Sequence, residues 1–188
     1  MSLNRRQTLA TLAAAAAGAA LPWRALAQAT AMPFDQPKFL YGFPAGSAGD
    51  IVCRRVAEKV AGSAYAKNSA LVENKPGAGG RIAIDALKSS ASDGSVLVMT
   101  PFSCTSIYPH VYKKLSYDPV ADLAPVSIAA IMHHGLAVGP MVPASVTDLK
   151  SFVAWAKANP DKANYGSPAA GSTPHFLGAL LALNRTWT

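Results

Sequence analysis

Leu40-Tyr41-Gly42-Phe43-Pro44-Ala45-Gly46-Ser47-Ala48-Gly49-Asp50 is the first of two glycine turns that set the fold. A short apolar run stops at glycine and proline, and a helical pattern follows. The same grammar recurs at Leu71-Val72-Glu73-Asn74-Lys75-Pro76-Gly77-Ala78-Gly79-Gly80-Arg81-Ile82-Ala83. Glycine lets a ligand approach the main chain because no Cβ stands in the way. A helix that opens just after such a turn aims unpaired N–H groups outward, where its dipole favours an anion. Both turns therefore point to capture of a small anion.

Working outward, residues 38–43 read as a strand and 48–61 as a helix. Ile51, Val52, Val56, Val60 and Ala61 form the apolar stripe of that helix. Asp50 lies in its first turn, where a carboxylate suits a helix cap better than a ligand contact. Residues 69–73 read as a second strand, 79–88 as a second helix and 96–100 as a third strand after the Asp93-Gly94 turn. The strand–helix–strand–helix–strand order predicts an α/β fold with a parallel sheet and right-handed crossovers. After Thr100 the rhythm breaks. Residues 101–125 read as irregular, 126–131 and 136–138 as strands, and 146–159 as an amphipathic helix capped by Thr147 or Ser145. Residues 163–165 read as a short strand, 166–174 as a third loop of small residues, and 175–183 as a closing helix. Residues 28–37 read as a flexible lead-in.

The N-terminus has the features of a secretory signal. Arg5 and Arg6 precede an apolar run over 9–21, and Ala25-Leu26-Ala27 is a small-x-small cleavage site. Residues 1–27 are therefore expected to be removed, by the general secretory or the twin-arginine route. The run is shorter than the roughly 20 residues of a membrane span, so a periplasmic protein is expected, with no membrane insertion after cleavage. Removal takes three arginines and no acid, lowering the formal charge from +7 to +4. The remaining cations are scattered, without the basic, aromatic-laced stripe of a nucleic-acid binder. Cys53 and Cys104 could pair in an oxidising compartment or stand as buried thiols. Neither has the spacing of a zinc or redox motif. His133-His134 is a poor metal clamp, since neighbours on a strand face opposite ways. No G-K-[ST] or G-x-G-x-x-G is present. No metal and no cofactor are expected.

These residues, in this order and spacing, resemble the Bug-type extracytoplasmic receptors, the substrate-binding component of tripartite tricarboxylate transporters. The resemblance rests on Phe43-Pro44-Ala45-Gly46-Ser47 with Asp50, on Val72-Glu73-Asn74-Lys75-Pro76-Gly77-Ala78-Gly79-Gly80 with Ile82-Ala83, and on Asp93-Gly94. Ile107-Tyr108-Pro109, Tyr112, Tyr117-Asp118-Pro119, Ala158-Asn159-Pro160, Ser167, Gly171-Ser172 and His175-Phe176 extend it over about residues 38–180. Ala45 and Ser47 replace a proline and a glycine of the family pattern, and Tyr108 replaces an asparagine. The resemblance implies a type II periplasmic-binding-protein-like architecture, two α/β lobes with the ligand between them. Residues 28–125 would be a nearly complete first lobe and 126–188 the start of an incomplete second lobe. It implies a small carboxylate ligand and a transporter or sensor in the membrane as partner. Carried over residue by residue, the ligand contacts fall on Gly46, Ser47, Ala48 and Asp50, then Ser103 and Tyr108, then Ser167, Gly171, Ser172 and His175. The family continues for roughly another lobe's worth of chain, so this one, ending in Asn184-Arg185-Thr186-Trp187-Thr188, is expected to be truncated or frame-shifted.

Two alternatives accompany that reading. One is a non-functional remnant of such a receptor, in which a helix is left with its apolar face unburied. The other is a small exported hydrolase using Ser172 and His175. The hydrolase requires a base oriented by a third group and an oxyanion pocket, and no G-x-S-x-G elbow occurs in the chain. The Gly77–Gly80 turn reads as structural.

Overall fold

Parallel strands of four residues each form the centre of the protein. The computed structural model describes residues 33–183, and the expected signal and part of the lead-in lie outside them. Strand β1 (Lys38–Tyr41) is flanked by β2 (Leu71–Asn74) and β3 (Val96–Met99), in the order β2-β1-β3. Lys38 is in register with Leu71 on one side and Val96 on the other. Helix α1 (Ala48–Lys59) joins β1 to β2, and α2 (Arg81–Lys88) joins β2 to β3 after a 3-10 turn at Ala78–Gly80.

The period-two alternation of β1 and β3 places the two helices on opposite faces. Phe39, Tyr41, Leu97 and Met99 pack with Cys53, Val56, Ala57 and Val60 of α1. Val98 packs instead with Ile84 of α2 and with Cys104, Tyr108 and Tyr117. The expected α/β layering is thus present, and strand bounds fall within two residues of those expected.

Cys53 and Cys104 are both buried and both free. They sit in the two separate clusters, which resolves the alternatives left open by the sequence. Burial pushes the Cys53 thiol up to about 11 and raises that of Cys104, so both are inert core residues.

Several expectations are corrected. The end of the lead-in, residues 34–37, is ordered: Phe34 N–H donates to Tyr65 O at 2.9 Å, and Phe34 O accepts from Lys67 N at 2.9 Å. Residues 101–125 are less irregular than expected, with two single-turn helices, α3 (Ser103–Ser106) and α4 (Tyr108–Val111). Residues 126–131, 136–138 and 163–165 are not strands. A strand exists only where a neighbour completes its ladder, and no described residue pairs with these segments. Their apolar side chains stand in solvent, Ile128 at 81% and Ile131 at 84% exposure. Helix α5 (Leu149–Ala158) is capped by Asp148, not by Thr147 or Ser145. Asp148 Oδ1 accepts from Ser151 N at 2.7 Å, and Ser151 Oγ accepts from Asp148 N at 3.2 Å, a reciprocal capping box. The closing helix, α6, starts two residues early, at Thr173–Leu183.

Candidate functional site

In an open parallel sheet, ligands bind outside the carboxyl ends of the strands, where connections diverge to opposite faces. With the order β2-β1-β3, that point lies between β1 and β3. At this edge β1 runs into the first turn, β2 into the glycine turn, and β3 into Thr100 to Ser103.

The first turn is held by Asp50, which is buried at 2% exposure. Its Oδ2 accepts from Gly46 N at 2.8 Å and from Arg54 Nε at 3.0 Å, and its Oδ1 accepts from Asn74 Nδ2 at 2.8 Å. Asn74 also donates to Phe43 O and accepts from Arg54 Nη2. The bonds from Arg54, Asn74 and the Gly46 amide hold the carboxyl well below its ordinary range, at about 2. Asp50 is therefore the brace of the loop. Ser47 is the N-cap of α1, yet its hydroxyl donates to Pro44 O at 2.8 Å and makes no cap bond. The leading N–H groups of α1, beginning at Ala48, thus have no side-chain cap, and they face the carboxyl edge of the sheet.

The second turn is structural, as its sequence suggests. A Cβ on Gly42 would stand 2.5 Å from Gly80 Cα, so the first and second turns are in backbone contact. Gly79 and Gly80 adopt φ of +67° and +94°, in the left-handed region that favours glycine. The Tyr108 hydroxyl donates to Gly79 O at 2.9 Å. Tyr108 is fully buried, and burial pushes its hydroxyl up to about 12. Ser103 is buried beside it at the start of α3. Thr100 Oγ1 is shut off from water and has no hydrogen-bond partner. The nearby Cys104 thiol senses that hydroxyl, but a thiol is a weak partner and no bond of adequate geometry joins them.

The third loop precedes α6. Ser172 Oγ donates to Ala169 O at 2.6 Å and lies 3.3 Å from Ser167 Oγ. Gly171 N donates to His175 Nδ1 at 3.1 Å. The loop reaches the first region through Tyr112, whose hydroxyl donates to Ala170 O at 3.2 Å. The ten expected contacts therefore fall into three groups. Gly46, Ser47, Ala48 and Asp50 share one turn; Ser103 and Tyr108 pack behind the second; Ser167, Gly171, Ser172 and His175 share the third. Sequence reasoning missed Asn74 and Thr100. Nothing short of the tertiary packing reveals that one side chain braces the loop and the other lacks a partner.

The hydrolase alternative finds no support. His175 Nδ1 is occupied by Gly171 N–H, and the Ser172 proton goes to Ala169 O. Among the described residues no cluster of His, Cys, Asp and Glu could hold a metal ion, and no helix is long and apolar enough to cross a membrane.

Comparison with known proteins gives the family. The profile of the tripartite tricarboxylate transporter family receptor, TctC, matches residues 52–185. A UPF0065 protein from the gbd 5' region of Cupriavidus necator is 35% identical over 189 residues, covering 97% of this chain and 55% of the relative. A UPF0065 protein of Bordetella bronchiseptica is 30% identical over 81% of this chain and 44% of the relative. Protein BugT of Bordetella pertussis is 28% identical over 97% of this chain and 54% of the relative. The chain spans about half the length of these curated relatives. It belongs to the tripartite tricarboxylate transporter receptor family.

Proposed function

We propose that the protein is a periplasmic, non-catalytic receptor that captures a small carboxylate and presents it to a tripartite transporter or a sensor. Family membership carries this reading. The edge of the sheet supports it: α1 begins there without a side-chain cap, next to the unpaired Thr100 hydroxyl and the buried hydroxyl of Ser103. Amides and hydroxyls can fork onto a carboxylate without a buried countercharge. The proposed architecture is two lobes divided near residue 125, with the ligand between the β1–β3 edge and the loop of Ser167, Gly171, Ser172 and His175. On the second side the ligand would replace internal partners, since Ser172 and Ser167 now bond within their own loop. Closure of the lobes is a population shift driven by tighter binding to the closed form.

A thermal melt of the chain, with and without a panel of mono-, di- and tricarboxylates, tests the reading. Ligand at about a hundred times its dissociation constant adds about 2.7 kcal/mol to a competent fold. The expected result is an upward shift with at least one carboxylate and no product formed. A melt indifferent to every carboxylate would refute the reading.

A further inference from the structure

Helix α1 carries more apolar surface than the sheet covers. Cys53 and Ala57 are buried in the core, and Val56 and Val60 pack beside them. Ile51 and Val52 take no part in that cluster, and Ile51 is 54% exposed. A helix that covers a sheet on one side is expected to turn polar on the other. Here one flank stays apolar from the first turn of the helix to its end.

That flank is one wall of a groove of about 380 Å³, built from Ile51, Val52, Val56 and Val60, with Ala129 of the exposed segment 126–131 also lining it. Arg55 and Lys59 line the same groove, and both are exposed. Among the described residues neither makes an ion pair. Their neighbour Arg54 differs, being bonded to Asp50 and Asn74. Glu58 lies three residues from Arg55 and next to Lys59, yet pairs with neither. Like charges one turn apart disfavour a helix. Lys59 gains from the dipole in the last turn, but Arg55, in the middle, does not. Segment 126–131, Val-Ser-Ile-Ala-Ala-Ile, brings no charge. The groove is therefore apolar with a positive margin.

An occupant must supply apolar side chains for the groove and carboxylates for Arg55 and Lys59. A free anion would leave the apolar flank wet, and a wholly apolar segment would leave both cations unpaired. An amphipathic helix meets both needs, because residues one turn apart share a face. We propose that this groove docks a helix of the membrane partner, with an apolar stripe set into it and acidic residues one turn apart against Arg55 and Lys59. The proposal rests on the receptor reading above for the partner's being a transporter or sensor, and it adds where on the receptor that partner binds. The start of α1 belongs to the candidate ligand site through Ala48 and Asp50. The flank of the same helix holds the partner, so both events act on one element.

The test uses the full chain and a fluorescent helix-forming peptide with leucines at i, i+3, i+4 and i+7 and glutamates one turn apart beside them. A twin peptide carries lysine for each glutamate. Anisotropy should show saturable binding of the glutamate peptide that weakens as salt rises, and little binding of the lysine peptide. Arg55→Glu with Lys59→Glu should lower affinity for the glutamate peptide roughly tenfold or more and gain affinity for the lysine peptide. Ile51→Ser should cause a smaller loss. Circular dichroism and the melting temperature confirm folding of each variant, and the rise in melting temperature with carboxylate should be the same in all. Equal binding of the two peptides, binding indifferent to the double substitution, or no binding of either would overturn the proposal. Binding to phosphatidylglycerol vesicles without peptide binding would assign the face to a membrane surface and overturn it too. So would self-association of the unaltered chain that Ile51→Ser abolishes, without peptide binding, which would assign the face to a second copy. These outcomes leave the carboxylate reading standing. A melt indifferent to every carboxylate, with the peptide results as expected, would instead remove that reading and keep the groove as a docking surface for an acidic helix.

Discussion

The first and third loops are two versions of one device. Each reads Gly-Ser-x-x-acceptor: Gly46-Ser47-Ala48-Gly49-Asp50 and Gly171-Ser172-Thr173-Pro174-His175. In each the glycine has φ near +80°, at +81° and +77°. In each its N–H is donated to a side chain four residues on, in the first turn of the helix that follows. The difference lies in the surroundings. Asp50 is buried and has two further partners, Arg54 and Asn74, the second reaching it from the end of β2. His175 has the Gly171 amide and a stacked Tyr165 ring at its side, and nothing from the sheet bonds to it. The same local sequence thus yields a rigid cradle where a sheet stands behind it and a lightly held one where none does. Among the described residues the buried apolar side chains all lie between Pro37 and Tyr117, which restates that contrast for the two parts of the chain.

Substitutions can break the comparison, beginning with the largest effect. Gly42→Ala places a Cβ against the Gly80 backbone, which cannot swing away as a side chain would. It should cost about 3 kcal/mol of stability in denaturant unfolding, because it separates the first turn from the second. Asp50→Ala removes an acceptor of three hydrogen bonds and leaves Arg54 and Asn74 without it. The expected cost is about 2–3 kcal/mol. Acid should mimic it. The Asp50 carboxyl sits at about 2 in the folded protein against an ordinary 3.8. Its contribution is therefore complete above about pH 3.8 and declines as pH falls from there toward 2, and Asp50→Ala should flatten the pH dependence of the melting temperature in that window. His175→Ala, the matching change in the third loop, should cost about 1 kcal/mol, the worth of one ordinary hydrogen bond. Equal costs for Asp50→Ala and His175→Ala would mean that the sheet adds nothing to the first loop.

Much of this was legible in the sequence. The glycine turns, the three strands and both crossover helices follow from short apolar runs stopped by Pro and Gly. That signal is local and survives without knowledge of neighbours. The failures have one cause. Residues 126–131, with three apolar β-branched residues among them, carry strand propensity, but propensity becomes a strand only when a partner supplies the other half of the ladder. Asp148 was passed over as a cap because Ser145 and Thr147 also qualify by type, and only the reciprocal bond to Ser151 selects among them. The recurrence of Gly-Ser-x-x-acceptor could have been seen directly, since both halves are contiguous. The site's less obvious members could not. Asn74 reads as the residue that follows a strand and Thr100 as a β-branched strand residue. Their roles arise from what the fold does or does not place beside them.

On the receptor reading, an anionic ligand binds at the carboxyl edge of β1 and β3. The most direct test is a titration of the isotope-labelled chain with succinate, following backbone amide resonances. Saturable shifts are expected, centred on Ala48, Gly49 and Thr100 to Ser103, with smaller ones at Gly171 and Ser172. Shifts centred instead on the opposite edge of the sheet, near Ser63 to Lys67 and Gly94, would contradict it.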